Sequence, residues 1–432
     1  MTAYQAEYAW VGGAVARDVR IEVERGIFTA VSRGESEADI RLPGLVLPGM
    51  ANAHSHAFHR ALRGRTHGER GTFWTWRNQM YAAAERLDPD SYRDLARAVF
   101  AEMAMAGYTA VGEFHYLHHG PDGRPYADPN AMGHALIEAA AEAGIRITLL
   151  DTLYLQSSVD GKPLEGVQRR FGDGDLDRYS ERVALLRPQR HARIGAALHS
   201  VRAVPAESMA AFAERHGEIA HVHLSEQRAE NEQCRAVHGR TPAELLDDSG
   251  FWHGGSTAVH ATHLSEQDIR ILGGKSSSVC FCPTTERDLA DGIGPARRLA
   301  DAGARLCLGS DSHAVIDPFE EARGLEMNER LATEQRGHFS PAELVAASAG
   351  HASIGWDDAG EIAVGKRADL VCVRLDSVRT AGSDPEGAIL AATAADVSDV
   401  IVDGRHIVAD GRHTTIDVRR ALAEAIPRGQ RR

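Results

Sequence analysis

The chain has 432 residues, 43% of them hydrophobic and 25% charged, with a net charge of -13. That mixture excludes disordered, collagen-like and coiled-coil proteins, and the length points to one large domain plus something smaller, since domains commonly run to ~100–150 residues. The acidic balance argues against nucleic acid and anionic membrane as partners, and no apolar run reaches the roughly 18 residues that a spanning helix needs.

From the N-terminus, Met1–Trp10 has neither the basic nor the apolar region of a secretory leader. Tyr4–Val11, Asp18–Glu24 and Ile27–Ser32 alternate apolar and polar residues between Gly turns, the period of strands. Eight short apolar runs then follow: Gly44–Ala53, Tyr108–Phe114, Ile145–Leu153, Arg193–His199, Glu218–Leu224, Ser256–His260, Ser277–Cys282 and Arg305–Gly309. Between them lie helical patterns at Ser91–Ala106, Asn130–Ala143, Ala206–His216 and Ala296–Ala302, with Gly stops at Gly107, Gly144 and Gly303. Parallel strands need crossover helices, so this rhythm predicts an α/β fold of the (β/α)8 barrel type. Near the C-terminus, Ala368–Arg374 and Val397–Val408 again read as strands, with turns at Asp403-Gly404 and Asp410-Gly411. Neither end alone has enough strands for a stable sheet. The expectation is one small β-sandwich shared by 1–48 and 357–432, with the catalytic barrel 49–356 inserted; two separate β-decorations are the alternative. The Arg428–Arg432 tail reads as a frayed end.

Cysteine usage is sparse and odd: five, with no C-x-x-C, as in a reduced cytoplasmic protein. Histidine is abundant at 22. The first barrel strand ends in His54-Ser55-His56; residues two apart on a strand share a face, so both imidazoles aim into the barrel mouth. Such a pair suits zinc. The fifth strand carries His221 and His223, followed by Glu226 on the loop, where a carboxylate can move a proton to and from water at a metal. The sixth ends in His260, either a ligand or a hydrogen-bond donor beside one, and the eighth ends in Asp311, an acid that needs a cation if buried. Together, strand ends 1, 5, 6 and 8 make a metal site. Cys280 and Cys282 alternate on the seventh strand without partner thiols, which favours packing. His118, His119 and His313 read either as supporting groups or as loop residues.

This strand-end set resembles the amidohydrolase superfamily, metal-dependent hydrolases with this barrel and a two-ended β-sandwich. Leu42–Met50 resembles its entry into the first strand and Gly360–Leu370 its return to the sandwich. Binuclear members carry a bridging lysine at the end of strand 4. Here Arg193–His199 contains none, and Lys162, Lys275 and Lys366 are the chain's lysines, so the resemblance implies one metal: zinc, with iron as the alternative. More specifically, His54–Ala61, Phe73–Tyr81, Glu113–His119, His199–Val204 and Cys282–Glu286 resemble the formimidoylglutamate deiminase family of histidine degradation.

That resemblance implies His54, His56, His223 and Asp311 as ligands, with Glu226 and His260 as the acid–base pair and Asp311 also orienting hydroxide. It implies substrate contacts from Arg77, Tyr116, His199, Arg202 and His59, and from the loop residue Ser312. His59 departs from the pattern, since the family often has Gln there. A homodimer and a small anionic substrate, N-formimino-L-glutamate, are also implied. Two arginines on different loops suit a dianion, each clamping one carboxylate. Two rivals stand beside this: a related deaminase or chlorohydrolase acting on a purine, pyrimidine or triazine ring, and a non-catalytic scaffold that holds no stoichiometric metal.

Overall fold

The computed structural model describes residues 1–34, 37–66 and 73–426; the Arg428–Arg432 tail lies outside them. Its strands form two eight-stranded sheets. The chain opens with β1 (Thr2–Val11), β2 (Ala14–Glu24), β3 (Ile27–Arg33) and β4 (Ile40–Pro48). It continues through β5 (Met50–Ser55), β6 (Tyr108–His115), β7 (Arg146–Leu153) and β8 (Ala192–Leu198). Then come β9 (Ala220–Leu224), β10 (Ser256–His260), β11 (Ser278–Phe281) and β12 (Arg305–Leu308). It closes with β13 (Leu370–Val373), β14 (Val397–Val402), β15 (Arg405–Ala409) and β16 (Arg412–His413).

Strands β5 to β12 pair in chain order, each parallel to the next. The ring shuts where Ser55 bridges Asp311 in parallel, with Asp311 N donating to His54 O at 3.0 Å and His56 N to Asp311 O at 3.2 Å. Closure therefore brings the ends of the first and eighth barrel strands together by backbone alone. The helices between strands start and stop on local chemistry. The helix Pro89–Ala106 begins two residues before its apolar pattern, because the Asp88 side chain accepts from Ser91 N and Pro89 fits the first helical position. It stops at Gly107, whose φ of 109° is a left-handed conformation that costs glycine little.

The two chain ends share the second sheet, in the order β16-β15-β14-β13-β4-β1-β2-β3. Strand β4 is the join, parallel to β1 and antiparallel to β13. The sheet curls over itself. Ala368 N donates to Gly26 O at 2.8 Å and Gly404 N to Ala368 O at 2.9 Å, so the β2–β3 turn meets the β14–β15 turn across four strand spacings. Between the curled halves lies a core of Tyr4, Ile21, Phe28, Leu42, Leu370 and Ile401.

One predicted run divides. Gly44–Ala53 reads as a single strand, but β4 belongs to the terminal sheet and β5 to the barrel. Gly49 is the crossing point: a Cβ there would lie 2.5 Å from Thr109 Oγ1 and 2.6 Å from Asp369 Cβ, so no other residue fits. Among the described residues no helix is long and apolar enough to cross a membrane.

Candidate active site

His54 is the fifth residue of β5, and His56 follows the strand's last residue. Their imidazoles turn to the same side, with ring centroids 4.7 Å apart. His223 comes from β9 and Asp311 from just past β12. Asp311 Oδ1 lies 3.3 Å from His54 Nε2 and 3.4 Å from His56 Nε2. His223 Nε2 lies 3.2 Å from His54 Nε2 and 3.4 Å from His56 Nε2. Two ligands on a tetrahedral zinc, each ~2.0–2.1 Å from it, stand about 3.3 Å apart. All four of these separations have that length.

The ring orientations point the same way. His56 Nδ1 donates to the carbonyl of Phe114 and His223 Nδ1 to that of His199, each at 2.9 Å. Both Nε2 atoms then carry lone pairs that face each other, an arrangement that a cation resolves. Burial lowers His54 to about 3 and His56 to about 4, and holds His223 well below its ordinary value. These rings are neutral at pH 7, the form that binds metal. Burial works against ionising Asp311, yet the His54 contact outweighs it and keeps that carboxyl below its usual range. Three neutral nitrogens and one carboxylate oxygen are a zinc-type donor set.

Two ionisable groups overhang these four side chains. His260, the last residue of β10, has Nε2 3.8 Å from Asp311 Oδ2 and 3.9 Å from Glu226 Oε1. Its Nδ1 lies 3.5 Å from Glu286 Oε1. Burial would lower His260, but Glu226, Glu286 and Asp311 outweigh burial and raise it. Burial likewise raises Glu226, partly offset by His260 and Arg202. Glu226 is thus a buried carboxyl with more affinity for a proton than an ordinary one, which suits a general base. Ser225, the residue before it, has a φ of 51°, so the turn that aims Glu226 is held in a sparsely populated conformation.

The remaining candidates line one cavity with these groups: His59, Arg77, Tyr116, His199 and Arg202. Tyr116 Oη and His59 Nε2 are 2.9 Å apart, so the two act as a pair. Arg77 lies over the Tyr81 ring, 5.5 Å from its centroid. Arg202 Nε donates to Glu230 Oε2 at 2.6 Å. Ser312 is not brought in: it lines the neighbouring cavity, with its Oγ 3.1 Å from Thr285 Oγ1. Cys282 packs at the edge of the cluster, close to His260 and Asp311.

Barrel strand 4, β8, contains no lysine.

The family model described as "Amidohydrolase family" matches residues 45–407. The chain belongs to the amidohydrolase family. This amidohydrolase is 37% identical over 427 residues to the formimidoylglutamate deiminase of Pseudomonas aeruginosa, covering 94% of each chain. It is 31% identical to the 8-oxoguanine deaminase of the same organism, covering 83% of this chain and 81% of that one. A crystal structure of an amidohydrolase from Brucella melitensis superposes with a TM-score of 0.90 at 30% identity, covering 99% of both chains.

Around the site stand groups that the sequence leaves without a role, among them His118, His119 and His313, which it leaves open between supporting groups and loop residues. Glu113 accepts from Ser55 Oγ at 2.5 Å and from Ala57 N at 2.6 Å, beneath the histidine pair; burial pushes its carboxyl up to about 8 despite those bonds. His313 lies 3.2 Å from Ser55 Oγ and 2.9 Å from Ser310 Oγ, and so supports the seam between β5 and β12. His118 and His119 lie further out: His118 donates to Thr152 O at 2.9 Å, and His119 meets Asp173 at 3.0 Å. Trp76, Tyr154 and Phe171 form aromatic walls of the cavity.

Proposed function

We propose that the chain hydrolyses N-formimino-L-glutamate to N-formyl-L-glutamate and ammonia, with one zinc per subunit held by His54, His56, His223 and Asp311. The observation that carries this reading is a single cavity lined by donors His56, His223 and Asp311, the proton carriers Glu226 and His260, and two arginines, Arg77 and Arg202. The likeness to the Pseudomonas deiminase over 94% of the chain supports it.

The substrate is a dianion with a formimino group at one end. Arg77 and Arg202 clamp its carboxylates by paired N–H donors, which an acidic protein needs for such a ligand. His199 and the Tyr116–His59 pair hold the chain between. When bound, zinc lowers the pKa of water toward about 7 and so supplies hydroxide at neutral pH. Glu226 takes a proton from the attacking water, and His260 orients the oxygen that adds to the formimino carbon. Glu226 then returns the proton to the terminal nitrogen. A C–O bond forms; the hydroxyl proton of the added oxygen then passes through Glu226 to the same nitrogen as the C–N bond breaks, so that ammonia leaves and the formyl carbonyl remains.

A second reading rests on the aromatic walls Trp76, Tyr116, Tyr154 and Phe171, which suit a flat ring. The likeness to an 8-oxoguanine deaminase favours it too. Ammonia release from N-formimino-L-glutamate, guanine, cytosine and S-adenosylhomocysteine separates the readings. Release from the first, with a formylated product, is expected; release only from the ring compounds refutes the deiminase reading.

A further inference from the structure

The helix Arg228–His238 turns a carboxylate inward near its start. Glu230 is 1% exposed. Its two oxygens serve two different strand ends of the barrel. Oε1 accepts from Ser225 N at 2.9 Å, and Oε2 accepts from Arg202 Nε at 2.6 Å. Ser225 precedes Glu226 on the loop after β9, while Arg202 sits on the loop after β8. A guanidinium is planar, so fixing its Nε edge fixes its plane. Arg202 lines the cavity, and its Nη2 lies 3.8 Å from Glu226 Oε2.

We propose that Glu230 is a positioning residue for substrate specificity: it holds the Arg202 guanidinium in the plane in which it receives a carboxylate of the substrate. The inference rests on the functional reading above, in which Arg202 binds that carboxylate. Glu226 is 3.8 Å away, whereas Glu230 makes the shorter, charge-assisted bond, and a charged hydrogen bond of that kind outweighs the longer contact.

The chemistry also designs the test. In Glu230→Gln the amide oxygen still accepts from Ser225 N–H, so the turn carrying Glu226 is kept. The amide nitrogen, however, meets Arg202 Nε–H donor to donor. Steady-state ammonia release is measured for wild type and variant with N-formimino-L-glutamate and with N-propylformamidine, which has the reacting group but neither carboxylate. Zinc content and thermal midpoint are read alongside. We expect KM for N-formimino-L-glutamate to rise about tenfold or more, as for loss of a charged hydrogen bond. Its kcat should stay within about threefold, and kcat/KM for N-propylformamidine should not move. In an Arg202→Met background, adding Glu230→Gln should raise KM no further, because the residue acts through Arg202. An unchanged KM, or equal losses on both substrates, overturns the assignment while leaving the deiminase reading intact. A wild type inactive on N-formimino-L-glutamate overturns both. If Glu230→Gln loses zinc or melts early, Glu230→Asp keeps the charge but withdraws it by one methylene. The same KM rise is expected there, and a wild-type KM in that variant overturns the assignment.

Discussion

At the scale of single residues, the decisive contrast is between Glu226 and Asp311. Both are buried carboxyls a few ångströms from His260. Asp311 touches His54 and His56 and stays ionised; Glu226 has only the longer contacts of His260 and Arg202, and burial outweighs them and pushes it up. One is thereby fitted to hold a cation and the other to carry a proton. Glu226→Gln is therefore expected to lower kcat by ~10²-fold or more while zinc content is unchanged. Ammonia release and metal analysis on the same preparation check this, and a near-normal rate contradicts the role. The proposed donors and proton carriers, which the fold brings together, are legible in the sequence because each sits at or just past a strand end, where an apolar run gives way to a histidine or an acid. Glu113, Glu230 and Glu286 are not: Glu230 and Glu286 stand in polar stretches where a glutamate looks like a solvated side chain, and Glu113 interrupts the apolar run Tyr108–Phe114 with no neighbour in the chain to announce its partner. Their burial depends on partners such as Ser55, Arg202 and Cys282, which are far away in the chain or hidden by a turn.

At the scale of elements, the site depends on how β5 and β12 meet. Asn52 Oδ1 accepts from Ser310 N at 2.9 Å, and Gly309 lets the strands approach. A Cβ on Gly309 would lie 2.8 Å from His54 O and 2.9 Å from His54 N. Gly309→Ala should thus push β5 away, cost ~1–3 kcal/mol of stability, and weaken zinc binding by displacing His54. A denaturant titration and a zinc titration of the variant test this; wild-type values in both would show that the seam yields without consequence. The same scale shows why some helices escape a periodicity reading. Arg228–His238 buries Glu230, Asn231 and Cys234, and Pro318–Thr333 buries Glu321, Glu326 and Glu329. Their inward faces are partly polar, so no apolar stripe marks them. Helices with an apolar inward face, such as Pro89–Ala106, stand out plainly.

At the scale of the molecule, the barrel and the curled sheet are locked by charge as well as by packing. Arg146, the first residue of β7, pairs with Asp369, which adjoins β13, and lies 3.1 Å from Asp403. Its guanidinium stacks 5.3 Å from the centre of the buried Trp356 ring. Arg146 and Asp369 are each 1% exposed, so removing Asp369 leaves a buried guanidinium with Asp403 as its remaining carboxylate in the lock. Asp369→Ala should cost about 3–5 kcal/mol, as for breaking a buried pair; thermal or denaturant unfolding measures it, and a loss under about 1 kcal/mol would contradict the lock. Burial works against ionising Asp369, but Arg146 wins and lowers its pKa in the fold. A lowered acid contributes stability above its unfolded value near ~3.9. That contribution disappears as pH falls through the lower folded value, and the Asp369→Ala variant should show a correspondingly flatter acid limb. The two-ended sheet is legible because neither end has strands enough alone. Its curl is not, because it is set by backbone bonds between turns that no side-chain pattern announces.

The most direct measurement titrates metal-stripped protein with zinc while reading ammonia release from N-formimino-L-glutamate. Activity should rise linearly and stop at one equivalent per chain. A break at two equivalents, or full activity before any zinc is added, would contradict a single cation held by His54, His56, His223 and Asp311.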